Sequence, residues 1–404
     1  MRHIAVLVTT SYPRFPGDGI ASFMEPIAKG LVARGHEIHV VAPWHPAVNR
    51  PAFEGGVHFH FFRYSPVPSL NIFGYAEGLR ADTHLRAAAW AMAPLAMTAG
   101  WFKAWRVAAK KRATVMHGHW VVPGGVMAAA AARRLPLVIS LHGSDVFVAE
   151  RHAIAGAAAR RAFGRASWVT APSDDLCRRA EALGANPARL ETVPYGVDAD
   201  RFAPSPAIAA EVRRELSLGD GPVLVTAGRL VRKKGIGYLI EAVRLLAATH
   251  PDVHLLIAGE GDLWTELAAQ AASAAPARVT LLGNQSQDRV ARLIAAADVV
   301  AVPSVRDDAG NVDGLPNFAL EALASGTPVV ASRVGGLQQT IDDGVTGLLV
   351  PERDPPALAT AIAALLARPD WARSLGRHAR ARVIRDFGWA RVAERFESAY
   401  NSRT

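Results

Sequence analysis

Residues Asp307 to Val334 read D-D-A-G-N-V-D-G-L-P-N-F-A-L-E-A-L-A-S-G-T-P-V-V-A-S-R-V. A Gly- and Asp-rich loop leads through Pro316 into a short helical pattern carrying Glu321; the pattern breaks at Gly326 and the apolar strand Pro328 to Ala331 follows. Pro316 suits the first helical position, where its missing N–H has no intrahelical role. A helix starting there leaves amides near Gly314, Leu315 and Asn317 without intrahelical partners, and their partial positive charge suits an anion such as a diphosphate. Asp313 and Glu321 frame that site, one just before the helix and one about a turn and a half into it.

Outward from this stretch, β-branched apolar runs alternate with Ala-rich helical patterns. Strands are expected at 3–10, Glu37 to Ala42, Thr114 to His117, Leu137 to His142 and Trp168 to Pro172, with helices at Ala21 to Arg34 and from about Glu77 to Arg112. The stretch between Ala42 and Leu70 reads as irregular, aromatic and Pro-rich. Pro194 to Pro206 reads as a linker, after which the alternation restarts with Val223 to Ala227, His254 to Ala258, Val279 to Leu282, Val299 to Pro303 and Gly347 to Val350. Strand–helix alternation implies parallel sheets covered by helices. Two such units of similar size predict two doubly wound domains, 1–200 and 201–385, facing each other with ligands at the carboxyl ends of the strands.

The bulk properties agree with an α/β protein of two domains. The chain has 404 residues, half of them hydrophobic, too many for one core. Cys177 is the sole cysteine, so no internal disulfide can form, and the chain reads as reduced and cytoplasmic. The N-terminal M-R-H-I-A-V-L-V-T-T reaches polar residues too soon for a secretory signal. The longest uncharged apolar-rich run, Ala87 to Phe102, holds 16 residues, fewer than the roughly 20 that span a bilayer. Lys and Arg outnumber Asp and Glu by 22 to 14 over residues 1–200 but only by 23 to 22 over residues 201–404. An excess on one half favours an anionic partner there, phospholipid or a phosphorylated acceptor, against the blander reading of an Arg-rich coding sequence. Trp90, Trp101, Phe102 and Trp105 stand with Lys103, Arg106, Lys110, Lys111 and Arg112 in a segment without acids, a pattern that suits either a membrane interface or a core helix with a basic end.

The loop Gly228-Arg229-Leu230-Val231-Arg232-Lys233-Lys234-Gly235 follows the first strand of the second unit and leads into its first helix. Cations beside a helix start, at a strand's carboxyl end, are placed to hold a diphosphate, although solvated side chains would read the same way in isolation.

Arg229-x4-Lys234, the acidic-x7-Glu pair Asp313 and Glu321, and E-A-L-A-S-G-T-P-V-V-A-S together resemble the retaining glycosyltransferases of family 4, which have the GT-B fold. Supporting matches are Leu141 to Val146, Glu191 to Asp198 and Ala258-Gly259-Glu260-Gly261-Asp262, in order along nearly the whole chain. The pattern is most similar to bacterial transferases of exopolysaccharide and lipid-linked sugar assembly. The resemblance implies two Rossmann-like domains with a cleft between them and a C-terminal helix, 386–404, crossing back onto the first. It also implies a UDP- or GDP-sugar donor and a carbohydrate or lipid-linked acceptor, without cofactor or metal. The membrane-interface reading of segment 90–112, against that of a core helix, would seat this cytoplasmic enzyme peripherally at the inner face of the membrane.

By the same resemblance, Arg229 and Lys234 bind and neutralise the donor diphosphate, Glu321 takes the ribose hydroxyls, and Asp313 holds a sugar hydroxyl. Gly314, Leu315, Asn317, Gly228 and Gly259 border the donor. His142 contacts the sugar or its diphosphate at the anomeric carbon, and Gly17 and Gly19 give close backbone approach to phosphate or acceptor. The sequence departs from the family at Asp313, usually Glu, with Asp307 and Asp308 as competitors for its role, and at Tyr195, commonly Asn. The first loop offers Gly17-Asp18-Gly19 in place of adjacent glycines.

Other readings are weaker. Asp198-Ala199-Asp200 could chelate a divalent ion but lies in the linker. His117-Gly118-His119-Trp120 and His58-x-His60 have no Cys or third ligand nearby in sequence. The serine-hydrolase and P-loop motifs are absent from the sequence. The alternatives are a sugar-nucleotide hydrolase or 2-epimerase of similar fold and, less favoured, a basic nucleic-acid-binding protein, which lacks its usual aromatic–basic motif here.

Overall fold

The computed structural model describes residues 1–75, 79–80, 84–85 and 87–402. The chain forms two compact units, one of residues 1–195 joined by the segment from Trp389, the other Gly196–Gly388.

The first unit is built on an eight-stranded sheet. Its order is Leu190–Thr192, Trp168–Ala171, Leu137–Ser140, Val115–His119, Ile4–Val8, Glu37–Pro43, Val57–Phe62 and Phe53–Glu54. All neighbours run parallel except the last pair. Strands Ile4–Val8, Val115–His119 and Leu137–Ser140 are buried along nearly their whole length, as a sheet covered by helices on both sides requires. Leu7, Ile38, Val40 and Val57 share a core with Met24, Ile27 and Leu31 of helix Met24–Ala33 and with Val392, Phe396 and Tyr400 of helix Trp389–Asn401. The two helices meet at Gly30, where a Cβ would lie 2.9 Å from that of Ala393. Glu191 of the edge strand receives Arg395 at 2.5 Å, so the returning helix is tied to the sheet as well.

Two expectations are corrected here. Phe53–Glu54 and Val57–Phe62 are strands inside the stretch read as irregular. V-H-F-H-F-F alternates with period two, which the surrounding prolines and aromatics concealed. The long helix begins at Ala87, not near Glu77, and continues through Pro94 to Lys111. Leu79–Arg80 and His84–Leu85 instead pair antiparallel, and the rest of the interval 76–86 lies outside the described residues. Gly78, Asp82 and Thr83 are poor helix formers, whereas the Ala run from 87 is a strong one.

Helix Ala87–Lys111 buries its small residues, Ala89, Ala96, Gly100, Ala104 and Ala108, and exposes Trp90, Leu95, Trp101 and Phe102. A Cβ on Gly100 would fall 2.3 Å from Met127 Sδ. Close packing on the small face therefore turns the aromatics outward. No helix among the described residues is long and apolar enough to cross a membrane.

The second unit has a six-stranded parallel sheet in the order Arg278–Leu281, His254–Ala258, Val223–Ala227, Val299–Val302, Val329–Ser332, Leu348–Val350. By position in the chain this is 3-2-1-4-5-6, the doubly wound order in which the winding direction reverses between Val223–Ala227 and Val299–Val302. The loops leaving those two strands are the cationic loop and the Asp313 loop.

Candidate functional site

At the reversal point the two loops are pressed together. Gly235 adopts φ 64°, and a Cβ there would lie 1.9 Å from the carbonyl oxygen of Pro303. The amide of Val305 donates to the Lys233 carbonyl at 2.8 Å. Only glycine allows this approach, and it carries Lys233 and Lys234 to Asp313. Lys234 Nζ lies 2.8 Å from Asp313 Oδ2 and Lys233 Nζ 3.4 Å from Oδ1. Ser304 Oγ donates to Asp313 Oδ2 at 3.2 Å. Thr226, Lys234, Pro303, Ser304, Pro316 and Phe318 line a small depression at this point.

Burial of Asp313 favours its neutral form, but the two ammonium groups outweigh that and hold its carboxyl down at about 2. Asp313 is therefore ionised throughout the ordinary pH range. The competing acids are occupied elsewhere. Asp307 closes its own turn, accepting from the amides of Ala309 at 3.0 Å and Asn311 at 2.9 Å and from Asn311 Nδ2 at 2.9 Å. Asp308 points to solvent and pairs with Arg353 at 3.0 Å.

Helix Asn317–Ala324 begins one residue later than expected, with Pro316 at the cap (φ −66°, ψ 119°) instead of the first helical position. The extended ψ of Pro316 sets the chain turning only at Asn317. The amides of Gly314, Leu315 and Asn317 have no hydrogen-bond acceptor among the described residues. At the other end, Arg380 donates to the carbonyls of Ala324, Phe202 and Ala199, a cation closing the helix C-terminus.

Glu321 is half-buried on this helix. Burial pushes its carboxyl up to about 7, and the charges of Arg201 and Lys234 only partly oppose that. The two acids of the stretch thus differ sharply, one a permanent anion in a cation pair, the other near neutrality and poised to ionise.

Arg229 is exposed on the same loop, whereas Lys233, Lys234 and Ser304 all reach the Asp313 carboxylate. The Arg–Lys spacing overlooked Lys233, Ser304 and Arg201. Gly228 and Gly259 act on one another: Gly259 has φ 137°, and a Cβ there would lie 2.0 Å from the Gly228 carbonyl oxygen. Around them, Leu230 donates to Glu260 at 2.9 Å and Leu263 to Leu230 at 3.0 Å, lacing the two loops.

In the first unit, His142 follows strand Leu137–Ser140. Its Nδ1 lies 2.7 Å from Tyr195 Oη and its Nε2 3.1 Å from His119 Nδ1. Trp120 and Phe23 pack on the ring at centroid distances of 4.4 and 4.7 Å. Burial, with His119 adding to it, drives the imidazole well below its usual range, so it is neutral. Tyr195, the departure from the usual Asn, is thus the group that orients this ring. His117 is likewise enclosed, 2.8 Å from Tyr400 Oη and 2.7 Å from Ser140 Oγ. Around Gly17 and Gly19 a Cβ would meet nothing within 4 Å, and Asp18 between them holds the loop by accepting Arg14 Nε at 2.7 Å.

Residues 221–368 match the family described as glycosyl transferases group 1, and residues 17–201 match glycosyltransferase family 4. A GDP-mannose-dependent alpha-(1-6)-phosphatidylinositol monomannoside mannosyltransferase of Mycolicibacterium smegmatis is 34% identical over 96% of this chain and 97% of its own length. A D-inositol 3-phosphate glycosyltransferase of Nocardia farcinica is 36% identical over 58% of this chain and 52% of its own. Among solved structures, HepE of Anabaena in complex with UDP superposes with a TM-score of 0.78 at 21% identity, over 99% of this chain and 100% of that one. Sucrose-phosphate synthase of Thermosynechococcus elongatus gives 0.78 at 24%, over 99% and 98%. At these identities the solved structures speak for the fold, which is GT-B.

Proposed function

The chain belongs to the family 4 glycosyltransferases, and on that premise we propose that this sugar-nucleotide hexosyltransferase moves mannose from GDP-mannose to a lipid-linked or other glycan acceptor, with retention and without metal. The full-length similarity to a GDP-mannose-dependent enzyme supports the donor. One observation carries the site: the Lys233 and Lys234 pair on Asp313, beside three amides with no acceptor at a helix start. Lys234, with Arg229 from the same loop, neutralises the diphosphate, and the free amides bind its oxygens or those of the sugar. Asp313 holds Lys234 in place while its remaining lone pairs accept a sugar hydroxyl. Glu321 accepts the ribose hydroxyls and ionises as it does so.

In the transfer, the bond from the anomeric carbon to the diphosphate breaks as that to the acceptor oxygen forms. The acceptor's proton passes to the departing phosphate oxygen. His142 is retained as a sugar contact, for which its Nε2 exchanges His119 for the substrate. A panel of GDP-mannose, GDP-glucose and UDP-glucose, read by thermal shift, tests the donor. GDP-mannose should give the largest rise, and a larger one with UDP-glucose overturns the donor assignment. Product analysis with donor alone separates transfer from hydrolysis or epimerisation, to which the comparisons lend no favour.

The outward aromatics of helix Ala87–Lys111, with Arg106 and Lys110 exposed beside them, support a peripheral seat on anionic lipid at the membrane face where a lipid-linked acceptor lies.

A further inference from the structure

The reading above makes no use of a cluster on the edge of the first unit's sheet. Strands Glu37–Pro43 and Val57–Phe62 run parallel in the register His39 to His58 and Val41 to His60. Ile38, Val40, Val57 and Phe59 enter the core against helix Met24–Ala33. Alternation along each strand therefore puts Glu37, His39, His58 and His60 on the opposite face. Strand register thus brings Glu37 and His39 beside His58, which sequence spacing alone does not show.

His39 is fully buried, with Nε2 3.0 Å from Glu37 Oε1 and Nδ1 3.1 Å from His60 Nε2. The His39 and His58 rings stack at 4.6 Å, and Phe53 covers His58 at the same distance. One ligand atom each from Glu37, His39 and His58 lie within 4.8 Å of one another. We propose that these three side chains bind a zinc ion, with His60 fixing the His39 ring from behind.

The chemistry favours that ion. Two imidazoles and a carboxylate are a zinc donor set, whereas calcium and magnesium ask for more oxygens. Ligand bonds of about 2.0–2.1 Å in a tetrahedron put donor atoms roughly 3.4 Å apart, so the cluster closes by about 1 Å or a little more. With zinc present, Glu37 and His39 Nε2 both give lone pairs to the metal, and His39 Nδ1–H donates to His60. That is the arrangement by which a second ring nitrogen orients a ligating histidine. Without it, His39 Nε2–H donates to Glu37 and His60 Nε2–H donates to His39 Nδ1, so zinc binding displaces the proton on His39 Nε2 and switches the tautomers of both rings. The ion would pin two adjacent strands at the sheet edge. Lys103 and Lys111, from the helix over this face, and Arg2, 3.9 Å from Glu37, oppose its charge and set its affinity.

Tag-free protein titrated with zinc chloride alone should bind one ion per chain by calorimetry and native mass spectrometry, with a rise in melting temperature. Cobalt substitution should give the visible spectrum of a tetrahedral nitrogen and oxygen site. His58→Gln and Glu37→Gln should each weaken zinc binding at least tenfold with an unchanged circular dichroism spectrum, and Lys111→Gln should tighten it. Should His58→Gln not fold, Glu37→Gln decides alone. Wild type without stoichiometric zinc, or unchanged affinity in the folded variants, overturns the proposal.

Discussion

Glu321→Gln should make the ligand-free protein more stable and the enzyme nearly inactive, and the stability gain should depend on pH in a set direction. The native carboxyl titrates at about 7 against an ordinary value of 4.5, mainly because burial disfavours its charge. A raised carboxyl value means that the folded state holds the proton more tightly than the unfolded chain does. Stability from that difference is complete below pH 4.5, is lost as pH rises toward 7, and is absent above it. At 1.36 kcal/mol per tenfold change the full displacement corresponds to roughly 3 kcal/mol, and residual solvent contact at a half-buried side chain trims it to about 2. Glutamine keeps the shape without the charge. The stability difference between variant and wild type should therefore widen by about 2 kcal/mol from pH 5 to pH 8, or about 4–8 °C in the melting temperature of a unit this size. Melting curves at the two pH values, with circular dichroism as the probe, measure it. Nucleotide affinity, read by calorimetry, should fall at least tenfold in the variant. In wild type, binding below pH 7 should release a proton as the ribose hydroxyls stabilise the ionised carboxylate. An equal stability difference at both pH values, or undiminished nucleotide binding, would refute the reasoning.

The other predictions concern the pair, the clamp and the helix. Asp313→Ala should abolish most turnover and cost about 3 kcal/mol of stability at pH 7, because two half-buried ammonium groups lose their partner. Asp313→Glu should retain far more activity, and Asp307→Ala should leave turnover near normal; equal losses at 313 and 307 would reassign the first acid. Lys234→Ala should reduce turnover by orders of magnitude in a folded protein, whereas Arg232→Ala, whose guanidinium is engaged by Glu266 at 2.8 Å, should not. Gly235→Ala, forcing a Cβ into the Pro303 carbonyl, should lower stability by more than 2 kcal/mol and weaken nucleotide binding with it. Trp101→Ala with Phe102→Ala, and separately Arg106→Gln with Lys110→Gln, should weaken cosedimentation with anionic vesicles while leaving turnover on a water-soluble acceptor unchanged.

What was legible in the sequence follows from how local each signal is. The second unit's strands are continuous apolar, largely β-branched runs with sharp ends, V-L-V-T-A between Pro222 and Gly228 and V-V-A-V between Asp298 and Pro303, so they can be placed within a residue or two, and the order of the two loops around the reversal point follows. The Asp313 and Glu321 stretch was legible for the same reason, since loop, helix and strand are consecutive. Partners far apart in sequence were not. Lys233 and Lys234 are adjacent in a four-cation run, and only the Gly235 contact with Pro303 determines that both reach Asp313 while Arg229 is exposed. His58-x-His60 read as a pair without a third ligand because Glu37 and His39 join it through strand register. The Val57–Phe62 strand is masked by its own aromatics, and the helix start lies ten residues beyond the expected one because scattered Ala76, Leu79 and Ala81 extend the apolar pattern toward Glu77, whereas Gly78, Asp82 and Thr83 have poor helix propensity.

The opposite behaviour of the two acids fits the different roles proposed for them. Under the proposed function, a diphosphate would bring negative charge to a loop whose lysines already pair with Asp313, so Lys234 would serve two anions at once. Asp313, ionised at every working pH, fixes Lys234 at 2.8 Å, and in the proposed role this places the cation before the donor arrives and spares reorganisation in the transfer step. A second permanent anion eight residues on would repel the same diphosphate. In the role proposed for it, Glu321 would avoid this, since its carboxyl is close to neutral without ligand and would ionise as the ribose hydroxyls donate to it. Donor affinity should accordingly climb as pH rises to about 7 and then level, following Glu321 and not Asp313, whose value of about 2 lies far below that range. In Glu321→Gln the climb should vanish. A pH dependence that persisted there would mean the titrating group sits elsewhere and that the division of labour between the two carboxylates is wrong.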